Sequence, residues 1–267
     1  MTNPFPPILN SFLPEPQASL LNGILWGLPP KFDRTLYDAL VTTGTLHIVA
    51  LSGTNISILA TLAAHATLRF GRKASSIISI CLIVFFVILV GPSPSVVRAA
   101  IMGCLSLIAV YFGRRNWGLL SLILAALTML FFDLSLVKNI SFQLSFLATF
   151  GVILSAGGKE RYARRGSIGQ LNYLIRKNLR LTLYTQVFTL PVIFYNFHRI
   201  SLISPLANIL IGWTITPIMA LGLACAGLGT LWLPLGILPA WLAWVPLTYL
   251  ITVIQLLAKI PGASVEF

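Results

Sequence analysis

Apolar runs long enough to cross a bilayer alternate with short polar connections along almost the whole chain. A helix needs about 20 residues to span about 30 Å of hydrocarbon. The runs predict eight spans, near 45–68, 75–91, 95–112, 117–133, 140–156, 180–197, 203–230 and 234–258. Pro191 predicts a kink in the sixth. Pro205 and Pro217 interrupt the seventh, which reads as a broken helix or as an interfacial piece followed by a span. Two pieces precede the first span. Residues 18–27 (ASLLNGILWG) are apolar but too short to cross, and residues 31–40 (KFDRTLYDAL) have the pattern of a small amphipathic helix. Together they read as an interfacial or re-entrant pair. The expected fold class is all-α: a polytopic transmembrane helical bundle of about eight spans plus N-terminal interfacial or re-entrant helices. Residues 1–16 form a Pro-rich segment and residues 17–260 one transmembrane domain. No internal repeat is visible, so an inverted-repeat transporter gains no support.

The first run, Thr45 to Phe70 (TLHIVALSGTNISILATLAAHATLRF), is polar in one direction. On a continuous helix His47, Thr54, Thr61 and His65 fall within about 40° of one another. Thr43 extends this stripe, while Gly53, Ala60 and Ala64 gather on another side. Unsatisfied polar groups in hydrocarbon cost several kcal/mol, so a spanning helix turns such a stripe from lipid. His47, Ser52, Thr54, Asn55 and Thr61 are therefore candidates to line a hydrated path; hydrogen bonds between helices are the competing reading. Gly53, Ser57 and Thr61, four apart, are small enough for close helix packing. The stripe holds only if the helix does not break at Ser52-Gly53.

Composition sharpens the class. The 267 residues are 57% hydrophobic and 9% charged, with mean hydropathy +0.91, whereas a soluble domain has about 25% charged residues. That excludes an ordinary soluble protein. The start lacks a basic region followed by an apolar core, so no signal peptide is evident. Cys81, Cys104 and Cys225 lie in apolar runs without CxxC spacing, so neither a disulfide framework nor a metal site is expected. Half of the net charge of +12 sits in one connection: Lys159, Arg161, Arg164, Arg165, Arg176, Lys177 and Arg180 face Glu160 alone. The connections after the first and third runs are also basic (Arg69, Arg72, Lys73; Arg114, Arg115). Those between carry no charge, or only Asp133 and Lys138. This alternation puts the basic loops in the cytoplasm and both termini outside it. Orientation and anionic lipid explain the 157–180 loop. The other reading is a polyanion-binding surface at a cytoplasmic exit.

Arg98 is the most pointed single residue. Ser93 reads as a helix cap with Pro94 at the first position, which puts Arg98 one turn inside the third span, near its outer mouth. A cation there opposes the helix dipole, and an intramembrane Arg is costly. Attraction of an anionic substrate is the functional reading; snorkelling to headgroups is the bland one. Asp133 and Asp38 are the obvious neutralising partners. Elsewhere Thr182, Gln186, Thr189 and Asn196 line one side of the sixth span. Asn208 follows Ser201 and Ser204, and Gln143 lies beside a packing stripe of Phe142, Phe146 and Phe150. Polar residues in four spans favour an aqueous lumen. Among six acids no pair shares a span, and no HExxH, GxSxG, Walker A or GxGxxG pattern occurs. His47 and Ser52 would diverge by about 140° on a continuous helix, a poor nucleophile–base pair. The expectation is a channel with no catalytic residues, metal or cofactor. A small-molecule or anion transporter and an intramembrane hydrolase are the alternatives.

Five motifs in order resemble the membrane competence domain of the ComEC family, the DNA-uptake channel of transformable bacteria. They are Gly44 to Ser52-Gly53 (GTLHIVALSG), Pro94 to Met102 (PSVVRAAIM) with Gly-Arg-Arg at 113–115, Phe142 to Ala148 (FQLSFLA), Thr189-Leu190-Pro191, and Pro205 to Asn208 (PLAN) with Pro217 downstream. The likeness begins near Leu20. Many members have a His two positions after the Ser-Gly pair, where this chain has Asn55. Many also carry an outer OB-like domain and a metallo-β-lactamase-like domain. Neither fits in these residues, so that nuclease activity is not carried over; a fragment, a split subunit and a degenerate paralogue all remain open. The resemblance implies multi-pass residence in the bacterial cytoplasmic (inner) membrane and passage of single-stranded DNA during natural transformation. It also implies a separate cytoplasmic ATP-driven motor, outer DNA-delivery proteins, and a homodimer or a partner chain carrying the missing domains. A polyphosphate needs a lumen without acidic rings, which suits a chain so poor in acids. Bases could slide on aromatic faces such as Tyr184 or Phe142.

Overall fold

The structure, a computed structural model, describes residues 5–29, 31–49, 51–156, 167–197 and 199–266. Among these the helices are α1 (Phe5–Phe12), α2 (Gln17–Trp26), α3 (Arg34–Thr42), α4 (Leu46–Val49), α5 (Gly53–Thr67), α6 (Arg72–Val90), α7 (Pro94–Tyr111), α8 (Gly118–Phe132), α9 (Ile140–Ala156), α10 (Ser167–Phe197), α11 (Ser204–Leu231) and α12 (Leu233–Ala258). Two three-residue strands, β1 (Arg199–Ser201) and β2 (Ser264–Glu266), pair antiparallel and tie the end of the chain to the α10–α11 link.

Most predicted spans appear as helices with closely matching ends, but their lengths differ in kind. α6, α7, α11 and α12 are each long and apolar enough to cross a bilayer. α8 and α9 are apolar but have 15 and 17 residues, about 22–26 Å at 1.5 Å per residue. The continuous first span is corrected. The chain breaks at Ser52, which takes extended angles (φ −114°, ψ 162°) as the N-cap of α5, so 45–68 becomes the short α4 and the 15-residue α5. The seventh run is not broken. Pro205 sits in the first turn of α11, where a missing N–H costs nothing, and Pro217 lies within one 28-residue helix.

The core centres on α2. All ten of its residues are buried, packed against α1, α4, α11 and α12. Leu21 and Leu25 press on Gly222 of α11, where a Cβ would come within 2.7 Å of both. Trp26 stacks on Phe5 at 5.0 Å. α3 is amphipathic, with Leu36, Ala39 and Leu40 buried and its packing directed at α12. α11 and α12 cross where Gly229 meets Gly236, the small-residue contact by which helices approach closely in lipid.

The helix order fixes which ends meet. Lys73 Nζ lies 5.7 Å from the Tyr111 ring, so the start of α6 adjoins the end of α7. Ser95 pairs with Ser141 and Arg98 with Ser145, so α7 and α9 run parallel. Gly151 of α9 faces Tyr184 and Thr185 of α10 while Phe150 meets Phe188, so those two helices are antiparallel. The basic stretches at 69–73, 114–115 and 176–180 therefore share one end of the bundle, and the Pro92 and Asp133 connections share the other.

Candidate functional site

Five helices make a cycle: α5 packs on α7, α7 on α9, α9 on α10, α10 meets α11, and α11 returns to α5. None of the helices from α5 to α12 contains Asp or Glu. Arg98, on α7, reaches both neighbours in this cycle. Its Nη1 donates to the Ser145 carbonyl of α9 at 2.6 Å, its guanidinium carbon lies 5.9 Å from the Phe146 ring centre, and its Nη2 occupies the notch left by Gly53 of α5. A Cβ on Gly53 would collide with that nitrogen and lie 3.2 Å from the Ala99 methyl. Arg98 is only 6% exposed. It neither snorkels nor finds a carboxylate among the described residues. Asp38 is exposed. Asp133 instead caps the 3-10 turn that follows it, accepting from the Ser135 amide at 2.9 Å, and hydrogen bonds from Ser135 hold its carboxyl below the usual range. The expected neutralising partners are thus not used. A guanidinium is permanently charged, so a carbonyl dipole and an aromatic face carry what compensation the described residues supply.

The polar stripe of α5 survives without its first member. Thr54, Thr61 and His65 are exposed together with Ser57, whereas His47 lies beyond the break on α4. Within the stripe Ser57 donates to the Gly53 carbonyl (3.2 Å), Thr61 to that of Ser57 (2.8 Å), and a ring nitrogen of His65 contacts that of Thr61. These local bonds leave the hydroxyl oxygens free to accept. Ser57, Ile58, Thr61 and Leu62 border a cleft of about 210 Å³ whose far wall is Thr216 of α11. Pro217 beside it cannot donate, so the Trp213 carbonyl lacks its helical partner there. A larger groove of about 400 Å³ runs along α12, but its lining, Pro234, Ile237, Leu238, Trp241 and Leu242, offers no polar side-chain group besides the Trp241 indole N–H.

Other candidates fall in separate places. Asn55 is buried and committed: its Nδ2 donates to the Ile24 carbonyl of α2 at 2.7 Å, and its Oδ1 accepts from Ser52 at 3.2 Å. His47 is exposed, with Nδ1 2.9 Å from the Gly44 carbonyl. His47 and Ser52 therefore have different partners. Gly44, at φ +67°, abuts Ser201 and Ser204, and Asn208 reaches the Ser204 hydroxyl at 3.5 Å. Gln143 donates to the Val137 carbonyl at 2.8 Å, holding the turn before α9. Gln186 is half-buried on α10. Arg176 and Lys177 are exposed, and Arg180 lies 5.4 Å from the Tyr184 ring. Lys159, Arg161, Arg164 and Arg165 lie outside the described residues. No cluster of metal-ligating side chains occurs among the described residues. Sequence reasoning missed Thr216, because Pro217 was read as a break rather than as a marker for its neighbour. It also missed Gly53 as the seat of Arg98, although a lone Gly facing a lone Arg was there to be noticed.

Apolar helices of spanning length, surrounding a bundle whose polar groups lie on helix faces, define a helical membrane protein. Within that class the family is specific: the model of the Competence protein family matches residues 25–267, and the chain belongs to this family, that of ComEC. It is 29% identical over 203 residues to ComE operon protein 3 of Bacillus subtilis (strain 168). That match covers 75% of this chain and 25% of the relative, so the chain spans about a quarter of the length of that protein. No solved structure matches.

Proposed function

We propose that this chain is a channel element of the DNA-uptake machinery of natural transformation, and that single-stranded DNA passes along the acid-free cycle α5–α7–α9–α10–α11. The observation that carries the reading is the conjunction of that cycle with an exposed hydroxyl stripe. Ser57 and Thr61 face Thr216 across the cleft, Thr54 is exposed on the same stripe, no carboxylate stands on any of the five helices, and the buried guanidinium of Arg98 lies among them. Acidic rings would repel a polyphosphate; hydroxyls and one guanidinium do not. Family membership supplies the context of competence. In this reading α5 and α10 complete the eight crossings, with the fully buried α2 as a shorter piece at membrane depth that is tolerated because protein surrounds it. The basic end faces the cytoplasm, both termini face outward, and the membrane is the inner one. The chain performs no chemistry; an ATP-driven motor pulls the strand, and outer proteins deliver it.

The test is labelled DNA uptake in competent cells whose uptake depends on this chain. Thr61→Phe and Thr216→Phe each fill the cleft, and uptake falls by about tenfold or more with the protein still in the membrane. Normal uptake in both variants overturns the assigned path.

A further inference from the structure

We infer that the N-terminus of α7 is a binding site for one phosphodiester group, with Arg98 as its fixed cation; this deepens the DNA-path reading and rests on it. The first observation is which edge of the guanidinium is free. Nη1 is taken by the Ser145 carbonyl, while Nε is buried without a hydrogen-bond partner among the described residues and Nη2 rests against Gly53, where there is no side chain to accept from it. Nε–H and the neighbouring Nη2–H form the parallel fork that matches two oxygens of a phosphate. An Arg that is 6% exposed and keeps this fork unfilled is built to receive an anion from outside the chain.

The second observation is independent and lies one turn away. Ser93 caps α7 with extended angles (φ −75°, ψ 151°), but its side chain makes no capping bond and its Oγ is buried without a partner among the described residues. With Pro94 at the first position, the amides of Ser95 and Val96 have no acceptor within the helix. They carry the positive end of the helix dipole. Arg98 stands one turn into the same helix. The Ser95–Ser141 hydroxyl pair, 3.2 Å apart, lies a turn before the Arg98–Ser145 contact on both helices. A phosphodiester brings one charge and two free oxygens, one for the fork and one for the helix end. DNA rather than a phospholipid headgroup is the occupant, because Gly53, Ser145 and Phe146 wall Arg98 within the helix cycle, away from the exposed apolar faces at Phe85 and Leu127.

The experiment uses the full chain in phosphatidylcholine nanodiscs, titrated with fluorescent tetrathymidylate and with its uncharged methylphosphonate analogue. The native oligonucleotide binds and the analogue does not. Arg98→Gln weakens binding by about tenfold to a hundredfold, the worth of charge-assisted hydrogen bonds; Arg98→Lys, which keeps the charge but loses the fork, falls between. Ser93→Ala combined with Ser95→Ala weakens binding without touching Arg98, and this decides the matter if Arg98→Gln does not fold. Tetrathymidylate binding unchanged in Arg98→Gln and in the double serine variant overturns the site. So does displacement of tetrathymidylate from Arg98 by phosphatidylglycerol added to the nanodiscs, which assigns the site to lipid. Absence of oligonucleotide binding while cells still import DNA refutes the site and leaves the channel reading intact. Arg98-dependent binding in a chain that supports no import refutes the channel and keeps the site.

Discussion

Replacing Asn55 separates hydrogen bonding from packing at the seam between α2 and α5. The residue is 2% exposed, and its Nδ2 donates at 2.7 Å to the Ile24 carbonyl, one of the last-turn carbonyls of α2 that have no donor within the helix. Asn55→Ala leaves that buried carbonyl orphaned at a cost of about 1–3 kcal/mol. Asn55→Asp is worse, because a carboxylate cannot donate and its charge is buried against an oxygen; about 3–5 kcal/mol is expected, by analogy with a buried charge stripped of its partner. Asn55→His keeps one ring N–H for the carbonyl and costs less than Ala. The assay is equilibrium unfolding in mixed micelles with sodium dodecyl sulfate as denaturant, followed by Trp fluorescence. Trp26, stacked on Phe5 at the end of α2, reports directly. The predicted order of stability is native, His, Ala, Asp. Ala and Asp variants both within about 0.5 kcal/mol of native, the range of an unconstrained surface site, would refute the claim that this bond holds α2 in place.

Two glycines make a matched pair for the same assay. At Gly151 a Cβ would lie 2.8 Å from the Tyr184 carbonyl oxygen and 3.0 Å from the Thr185 Cα, so Gly151→Ala pushes α9 from α10 and destabilises by about 1–3 kcal/mol; Gly212→Ala meets nothing within 4 Å and gains up to about 1 kcal/mol of helix propensity. Equal effects of the two would contradict the close α9–α10 contact. Gln17 donates to Thr248 but leaves its buried Oε1 unpartnered, so Gln17→Leu together with Thr248→Val is near neutral, whereas Thr248→Val alone strands the amide and costs about 1–3 kcal/mol; equal unfolding midpoints for the single and double variants would oppose this. Gly53→Ala displaces the Arg98 guanidinium and lowers DNA uptake more than it lowers stability; parallel losses in uptake and unfolding would speak for a purely structural role.

The long runs were legible because they are apolar on every side and bounded by residues that stop helices. Gly71 and Gly91 flank α6, and Pro94, Pro205 and Pro234 open α7, α11 and α12. The stripe from His47 to His65 was not, because its angles were summed through Ser52, and one extended residue resets the phase of everything before it. Hydropathy found α2 too short to cross but not that it lies inside the bundle, since composition does not reveal what covers a segment. Arg98 stood out as a lone charge in an apolar run. Its partner, a backbone carbonyl 47 positions later, leaves no mark in the side-chain pattern, and the obvious acids proved to be elsewhere.

The central claim is that the hydroxyl faces of α5 and α11 border the route of the strand. Cysteines placed singly at Thr61 and Thr216, in a chain with Cys81, Cys104 and Cys225 replaced, are to be labelled in cells with a membrane-impermeant cationic thiol reagent, before and during DNA uptake. Cysteines at the exposed apolar positions Phe85 and Leu127 serve as references. The account predicts labelling at Thr61→Cys and Thr216→Cys, none at the references, and protection of both by DNA in transit. Reactivity at Thr61→Cys and Thr216→Cys no greater than at Phe85→Cys, or unchanged while DNA is crossing, would contradict it.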